Sequence, residues 1–442
     1  MTGAWPGPAA DPAAHRLVRD VAAGRASAVE VARATLRAAD EAEPRIAAFT
    51  VLDPDLVLRD AAVVDGLAGS DRARRPLAGL PVAVKDIIDT AGLPTAYGSP
   101  IHAGHRPTED AEVVRRLRAA GAVPFGKTTT TEFALFAPTA TRNPWDPERT
   151  PGGSSSGSAA AVAAGAVPVA LGTQTAGSVI RPASFNGVVG FKPTHGTVPT
   201  AGVKDLSPSF DTVGVLARTV DDVALVYGAI ADGPPVDGTP DDGTADDGGA
   251  PRRLAVFRTG QWDQVEAAVR AAFDAAVDEI ADRDGWEVAD LPWSEETHEE
   301  LTHAQSILME VEALAALDAE YRGHRDLCSP QLVDYLDRAT TRSAEDAERA
   351  RATIDRARES FHAAASGFAG VLTPAAHGEA PPRATTGDPW FSRAWTALGG
   401  PTVSLPLLRG EHGLPVGLQL AGHRGQDLDL LAVASALMPS AR

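Results

Sequence analysis

The chain has 442 residues, 44% of them hydrophobic and 22% charged, which is ordinary for a soluble globular enzyme and excludes wholesale disorder. Its 40 Lys and Arg against 59 Asp and Glu leave a formal charge of −19, so phosphate backbones and acidic membrane surfaces are repelled at long range. The single cysteine, Cys328, excludes an internal disulfide framework, fits a reducing compartment and reads as packing rather than chemistry.

The opening MTGAWPGPAADPAAH has neither a basic start nor a sustained apolar core, so no signal peptide is expected. No run reaches the roughly 18 to 20 apolar residues that span a bilayer, and a cytoplasmic protein is the expectation. Ser27 can cap a helix running to about residue 40, where the apolar spacing is helical rather than alternating. Residues 80–86, Leu-Pro-Val-Ala-Val-Lys-Asp, read as a strand. In it Val82 and Val84 face one way, Ala83 and Lys85 the other. Residues 111–120 predict an amphipathic helix, Gly121 its stop, and residues 122–125 a strand. The scheme repeats with a helix over 158–164, a stop at Gly165 and a strand over 167–171. Alternating helices and strands predict an α/β layered domain around a partly parallel sheet.

Residues 233–249, GPPVDGTPDDGTADDGG, predict a solvated loop, and its aspartates lack the ligand spacing of a calcium-binding hand. Beyond it come a strand over 253–257, a helix over 265–281 and a strand over 286–291. A long, charge-mixed helical stretch over 294–367 is expected to cover one end of a pocket. Residues 371–374 and 403–406 return to the core, and no internal repeats are evident.

Between Gly152 and Pro182 lies GGSSSGSAAAVAAGAVPVALGTQTAGSVIRP, which places two serine-bearing, glycine-rich loops around one helix and one strand. Glycine removes the side chains that would block backbone N–H groups from a reacting oxygen. The second loop, Gln174-Thr175-Ala176-Gly177-Ser178, reads as a nucleophile with an oxyanion hole built in. Lys85, in an apolar run, becomes a usable base if desolvation lowers its pKa from about 10.4. Two serines and a lysine suggest acyl transfer without histidine.

The order Lys85, Ser154, Ser178, the Gly-Gly-Ser-Ser opening, Asn143-Pro144-Trp145 before it and Gly190-Phe191-Lys192-Pro193-Thr194 after it resemble the amidase signature family. This family of Ser-Ser-Lys amide hydrolases is related to the A subunit of glutamyl-tRNA amidotransferase. The resemblance is dense over residues 79–219 and returns at 399–422. It implies an α/β fold, a large mixed twisted sheet covered by helices on both faces, as a single domain over 1–442 whose last return to the core spans about 368–438. It also implies Ser178 as nucleophile, Ser154 as a bridging serine on a cis peptide, Lys85 as base, and the amides of Thr175, Ala176, Gly177 and Ser178 as the oxyanion hole. Ser155 and Ser156 are read as structural hydroxyls. Neither cofactor nor metal is implied. The expected partner is a small-molecule amide, without nucleic acid or membrane, and a homodimer is left open.

Three other signatures fall short. Gly153-Ser154-Ser155-Ser156-Gly157 fits the nucleophile elbow of α/β-hydrolases, which would make Ser155 the nucleophile, but two prolines interrupt the strand that elbow needs before it. No Gly-Lys-Ser/Thr follows the glycines to cradle phosphate. His298 and His303 are spaced by five residues where a helical zinc pair needs four, and His102, His105 and His195 read as ordinary polar residues. The chain departs from the family around the nucleophile. Gln174 and Ile180 stand where an acidic residue and an arginine are common, Arg181 is shifted by one, and Asn186 stands where a cysteine is frequent. Two further readings remain: a glutaminase subunit of a tRNA-dependent amidotransferase, and a catalytically silent binding protein on the same fold.

Overall fold

The computed structural model describes residues 13–233 and 252–438. One mixed sheet runs through it, built from β1 (Phe49–Val51), β2 (Pro81–Lys85), β3 (Val123–Thr128), β4 (Val169–Gln174), β5 (Val189–Lys192), β6 (Thr212–Ala217), β7 (Arg252–Val256), β8 (Trp286–Asp290), β9 (Gly370–Pro374), β10 (Thr402–Arg409) and β11 (Pro415–Ala421). The strand order is β1-β3-β2-β4-β6-β5-β10-β11-β9-β7-β8. β2 lies parallel to both β3 and β4, and β7 parallel to both β8 and β9, while the centre is antiparallel. The sheet is therefore the large, mixed one expected, with helices on both faces.

Strand alternation divides the core between those faces. Val82 and Val84 join the larger hydrophobic cluster and Ala83 joins the smaller one on the opposite side. The helix Ser156–Ala163 has every residue buried, consistent with a sequence that is apolar or small all round. A Cβ at Gly157 would stand 2.2 Å from the Ala48 carbonyl oxygen and 2.4 Å from the Thr129 nitrogen, so only glycine lets this helix approach so closely.

The expected boundaries shift where side-chain contacts outlast the local pattern. Ser27 caps a helix as anticipated, with Glu30 completing a capping box, but the helix Ala28–Ile46 continues beyond residue 40 because Ala42 and Ile46 extend its buried stripe. The helix expected over 158–164 is Ser156–Ala163, and the strand expected over 167–171 is β4, displaced toward the Ser178 loop by pairing with β6. β3 likewise runs to Thr128 because β2 pairs with it that far. The 294–367 stretch folds into helices Glu295–Ala316, Asp318–Gly323, Pro330–Ala339 and Ala344–Ala364. Apart from Gly233, the acidic loop lies outside the described residues. No helix among them is long and apolar enough to cross a membrane.

Candidate active site

The site forms where β2 and β4, parallel neighbours, end side by side, the usual place for ligands in sheets with parallel strands. β2 ends on Lys85, and β4 runs through Thr173 and Gln174 into the loop that carries Ser178. The Ser154 loop enters from the N-terminus of Ser156–Ala163, with a cis peptide bond between Gly153 and Ser154.

Lys85, 0% exposed, brings Nζ to 2.7 Å from Ser154 Oγ and 2.7 Å from Thr173 Oγ1, with the Thr173 carbonyl oxygen at 3.4 Å. Burial pushes the lysine well below its ordinary pKa, and the charge of Asp211 opposes this only in part. A neutral amine at that position can accept the Ser154 proton while its own N–H groups donate to Thr173. Ser154 is buried and Ser178 is 8% exposed.

Four consecutive backbone N–H groups, those of Thr175, Ala176, Gly177 and Ser178, donate to no acceptor among the described residues. They are free to converge on an oxyanion. The next two are occupied: Val179 N–H and Ile180 N–H donate to Gln174 Oε1 at 2.9 and 3.0 Å. Gln174 Nε2 donates to Thr396 Oγ1 at 2.9 Å, and that hydroxyl lies 2.8 Å from the Ala176 carbonyl oxygen. The amide thus supplies the acceptor that a carboxylate would otherwise give to the first turn of the helix Ile180–Asn186, and Ile180 is simply buried. Asn186 is structural, donating from Nδ2 to the Pro151 and Pro182 carbonyls at 2.7 and 2.8 Å.

Ser155 Oγ accepts the Thr173 N–H at 3.2 Å and lies 3.3 Å from the Thr173 carbonyl oxygen, and Ser156 Oγ donates to the Gly152 carbonyl at 2.8 Å. Both satisfy backbone groups. No strand runs directly into Gly153, as a nucleophile elbow would need, the last one before it ending at Thr128. Several contributors escape the sequence reading. Thr173 touches the lysine. Asp211 accepts from Thr175 Oγ1 and from the Leu206 and Ser207 N–H groups. Gln305, from the covering helix Glu295–Ala316, donates to the Thr175 carbonyl at 2.9 Å. Thr173 had a weak sequence signal, as a residue of the strand leading into the Ser178 loop. Gln305 had none, being 127 positions beyond Ser178 in the chain.

The histidines do ordinary polar work: His102 Nε2 meets Glu320 at 2.9 Å, His105 meets the Tyr97 hydroxyl at 3.3 Å, and His195 donates from Nε2 to the Pro208 carbonyl at 3.0 Å. His298 is buried among Phe257, Trp293, Trp390 and Trp395, and burial drops its pKa to about 4. Cys328 is unpaired and half-buried, its thiol pKa pushed up by that burial. Among the described residues no group of three or more His, Cys, Asp or Glu could hold a metal ion. A cleft of about 600 Å³ lies beside the site, lined by Asp86, Ser99, Thr129, Thr130, Glu132 and Ala137 among others, and none of Lys85, Ser154 or Ser178 lines it.

Lys85 thus lies against the Ser154 loop and against Thr173, in the strand that leads into the Ser178 loop, and comparison with known proteins identifies the family. The Amidase family model matches residues 30–431, so the chain belongs to the amidase family. It is 49% identical over 228 residues to the A subunit of the glutamyl-tRNA(Gln) amidotransferase of Symbiobacterium thermophilum, a match covering 50% of this chain and 46% of that protein. The chain thus spans about half the length of the curated relatives it matches. A solved structure described as an amidase superposes with a TM-score of 0.84 at 31% identity, covering 96% of this chain and 99% of that one. The peptide amidase of Stenotrophomonas maltophilia gives 0.81 at 30%, covering 97% and 96%.

Proposed function

We propose that the protein is a stand-alone hydrolase of a small-molecule carboxylic amide. The observation that carries this reading is Lys85 Nζ, fully buried and depressed in pKa, 2.7 Å from Ser154 Oγ. Ser178 Oγ attacks the amide carbonyl, and its proton passes through Ser154 to Lys85. The four free N–H groups from Thr175 to Ser178 stabilise the tetrahedral oxyanion. The proton then returns by the same path to the leaving nitrogen as the C–N bond breaks. Water attacks the Ser178 ester, giving the carboxylic acid and restoring the hydroxyl. The reading places the enzyme in the cytoplasm as one catalytic unit without a cofactor.

The test is covalent. A fluorophosphonate probe should add to the wild type on Ser178, and Ser178→Ala should abolish both the adduct and turnover while the protein stays folded. An adduct on Ser155 would overturn the assignment. A second reading, a glutaminase component working with partners, is favoured by the amidotransferase relatives that match half of this chain. Supplying the isolated chain with glutamine and with simple aryl amides separates the two, because only the stand-alone enzyme turns over the latter without partners.

A further inference from the structure

Two clefts of about 280 and 200 Å³ lie where the helix Ala344–Ala364 packs beside the helix Trp390–Leu398, and they share Arg358 and Arg424 as a common wall. Neither is lined by Lys85, Ser154 or Ser178. His195, Arg351 and Asp355 also line the first, over a buried apolar floor of Phe210, Leu308 and Ile354. His362 and His423 also line the second. Among the described residues Asp355 is the one carboxylate in either lining.

Arg351 Nη2 meets Glu312 at 3.3 Å, and Arg358 Nη1 donates to Asp355 Oδ1 at 3.3 Å. Arg424 has no carboxylate within 4.0 Å among the described residues, and its Nη2 donates to the His195 carbonyl at 3.2 Å. Arg358 Nε donates to the Ala397 carbonyl at 3.0 Å, at the C-terminal end of a helix, where a cation is favourable. The two guanidinium groups flank one point: a Cβ on Gly399 would stand 2.8 Å from Arg424 Nη1 and 3.9 Å from Arg358 Nη2. Burial lowers the Arg358 pKa, with Asp355 opposing the shift and Arg424 adding to it. Burial also lowers that of His195, and the charges of Lys192, Arg424 and Arg358 push the same way, so a positive field fills this corner.

Bracing backbone carbonyls accounts for Arg358 Nε and Arg424 Nη2. It leaves Arg358 Nη2 and Arg424 Nε and Nη1 without an acceptor among the described residues. Nor does it account for two like charges set side by side in a protein carrying −19 overall, which has carboxylates to spare.

The geometry points to an anion site apart from the catalytic loops, in which Arg358 and Arg424 together bind the phosphate of a small phosphate monoester whose organic part lies over Phe210, Leu308 and Ile354. Such a group carries about −1.5 to −2 at neutral pH, which matches two guanidinium charges where a carboxylate brings only one negative charge. Its terminal oxygens accept from the idle nitrogens, and guanidinium suits phosphate geometrically. Concave clefts of this size suit a small molecule, whereas the overall charge repels a polynucleotide.

The test is calorimetry on the full chain in phosphate-free buffer, with phenyl phosphate against phenyl sulfate, which keeps the shape and carries a single charge. Phenyl phosphate should bind with a Kd of about 1 mM or tighter, and about tenfold or more tighter than the sulfate. Failure of either expectation overturns the inference, and needs no variant. Arg424→Gln alters an exposed side chain, should keep the wild-type urea midpoint, and should weaken phenyl phosphate by about tenfold or more. Arg409→Gln removes the same charge from an exposed residue stacked on Trp145, outside both clefts, and should weaken it less than about twofold. Equal losses in the two variants would mean a diffuse field, and an unchanged affinity in Arg424→Gln would put the phosphate elsewhere, the catalytic loop included; each overturns the site. Tighter binding of a short single-stranded oligonucleotide than of phenyl phosphate would overturn it in favour of nucleic acid.

Discussion

Replacing Gln174 by methionine keeps the side-chain volume and removes the amide that accepts from Val179 N–H and Ile180 N–H at 2.9 and 3.0 Å. Both donors and Gln174 itself are sealed from solvent, at 0% exposure, so water cannot take its place. Each orphaned buried donor costs about 1–3 kcal/mol, giving roughly 2–6 kcal/mol for the pair, with about 3 kcal/mol after local relaxation. The strain falls on the turn that carries Ser178 and the four N–H groups from Thr175 to Ser178, where, on the proposed mechanism, small misplacements are expensive. If it is felt in the transition state, kcat/KM drops by about 100-fold, at about 1.4 kcal/mol per factor of ten. Steady-state kinetics on a turned-over amide and the urea unfolding midpoint give the two readouts. Gln174→Glu retains the acceptor and should lose less than Gln174→Met. The reasoning fails if Gln174→Met keeps kcat/KM within twofold and unfolds at the wild-type midpoint.

Other outcomes follow from the same geometry. Lys85 must be neutral to accept a proton, and burial lowers its folded pKa, so the rate should be full above that pKa and fall as pH drops through it. Lys85→Ala should lose on the order of 100-fold or more, and an unchanged acidic limb in its residual activity would mean that another group titrates. Gln174→Asp should lower activity by leaving a carboxylate without its arginine, and adding Ile180→Arg should recover part of it. A double-mutant cycle with no coupling between the two positions would refute their pairing. Lys192, buried with Nζ donating to the Pro193 and Gly400 carbonyls at 2.8 and 2.6 Å, has its pKa lowered to about 7 by desolvation. The unfolded lysine titrates near 10.4, so between those values the unfolded chain holds one more proton and this group's contribution makes stability rise with pH by about 1.4 kcal/mol per unit. Lys192→Met should flatten the urea-derived stability profile between about pH 7.5 and 9.5 by about one proton, and identical slopes would contradict this.

The sequence alone determined what is local. The capping box at Ser27 and Glu30, the stop at Gly121 and the alternation that sends Ala83 away from Val82 and Val84 are properties of a few neighbouring residues, and periodicity reports them directly. The two glycine-rich serine loops were legible for the same reason, since backbone exposure at a loop is written in glycine and serine. What required the tertiary structure is whatever two distant segments decide together. Lys85 and Ser154 are 69 positions apart, and only the parallel pairing of β2 with β4 brings β2's last side chain against Thr173 and the Ser154 loop and desolvates it. Gln174 read as a departure from pattern until Thr396, 222 positions on, gave its amide a partner. Arg181 read as an arginine out of place, and its idle nitrogens emerge only once burial removes water and no carboxylate among the described residues pairs with it. Chain neighbours set hydrogen-bonding capacity; which capacities stay unfilled is settled by packing.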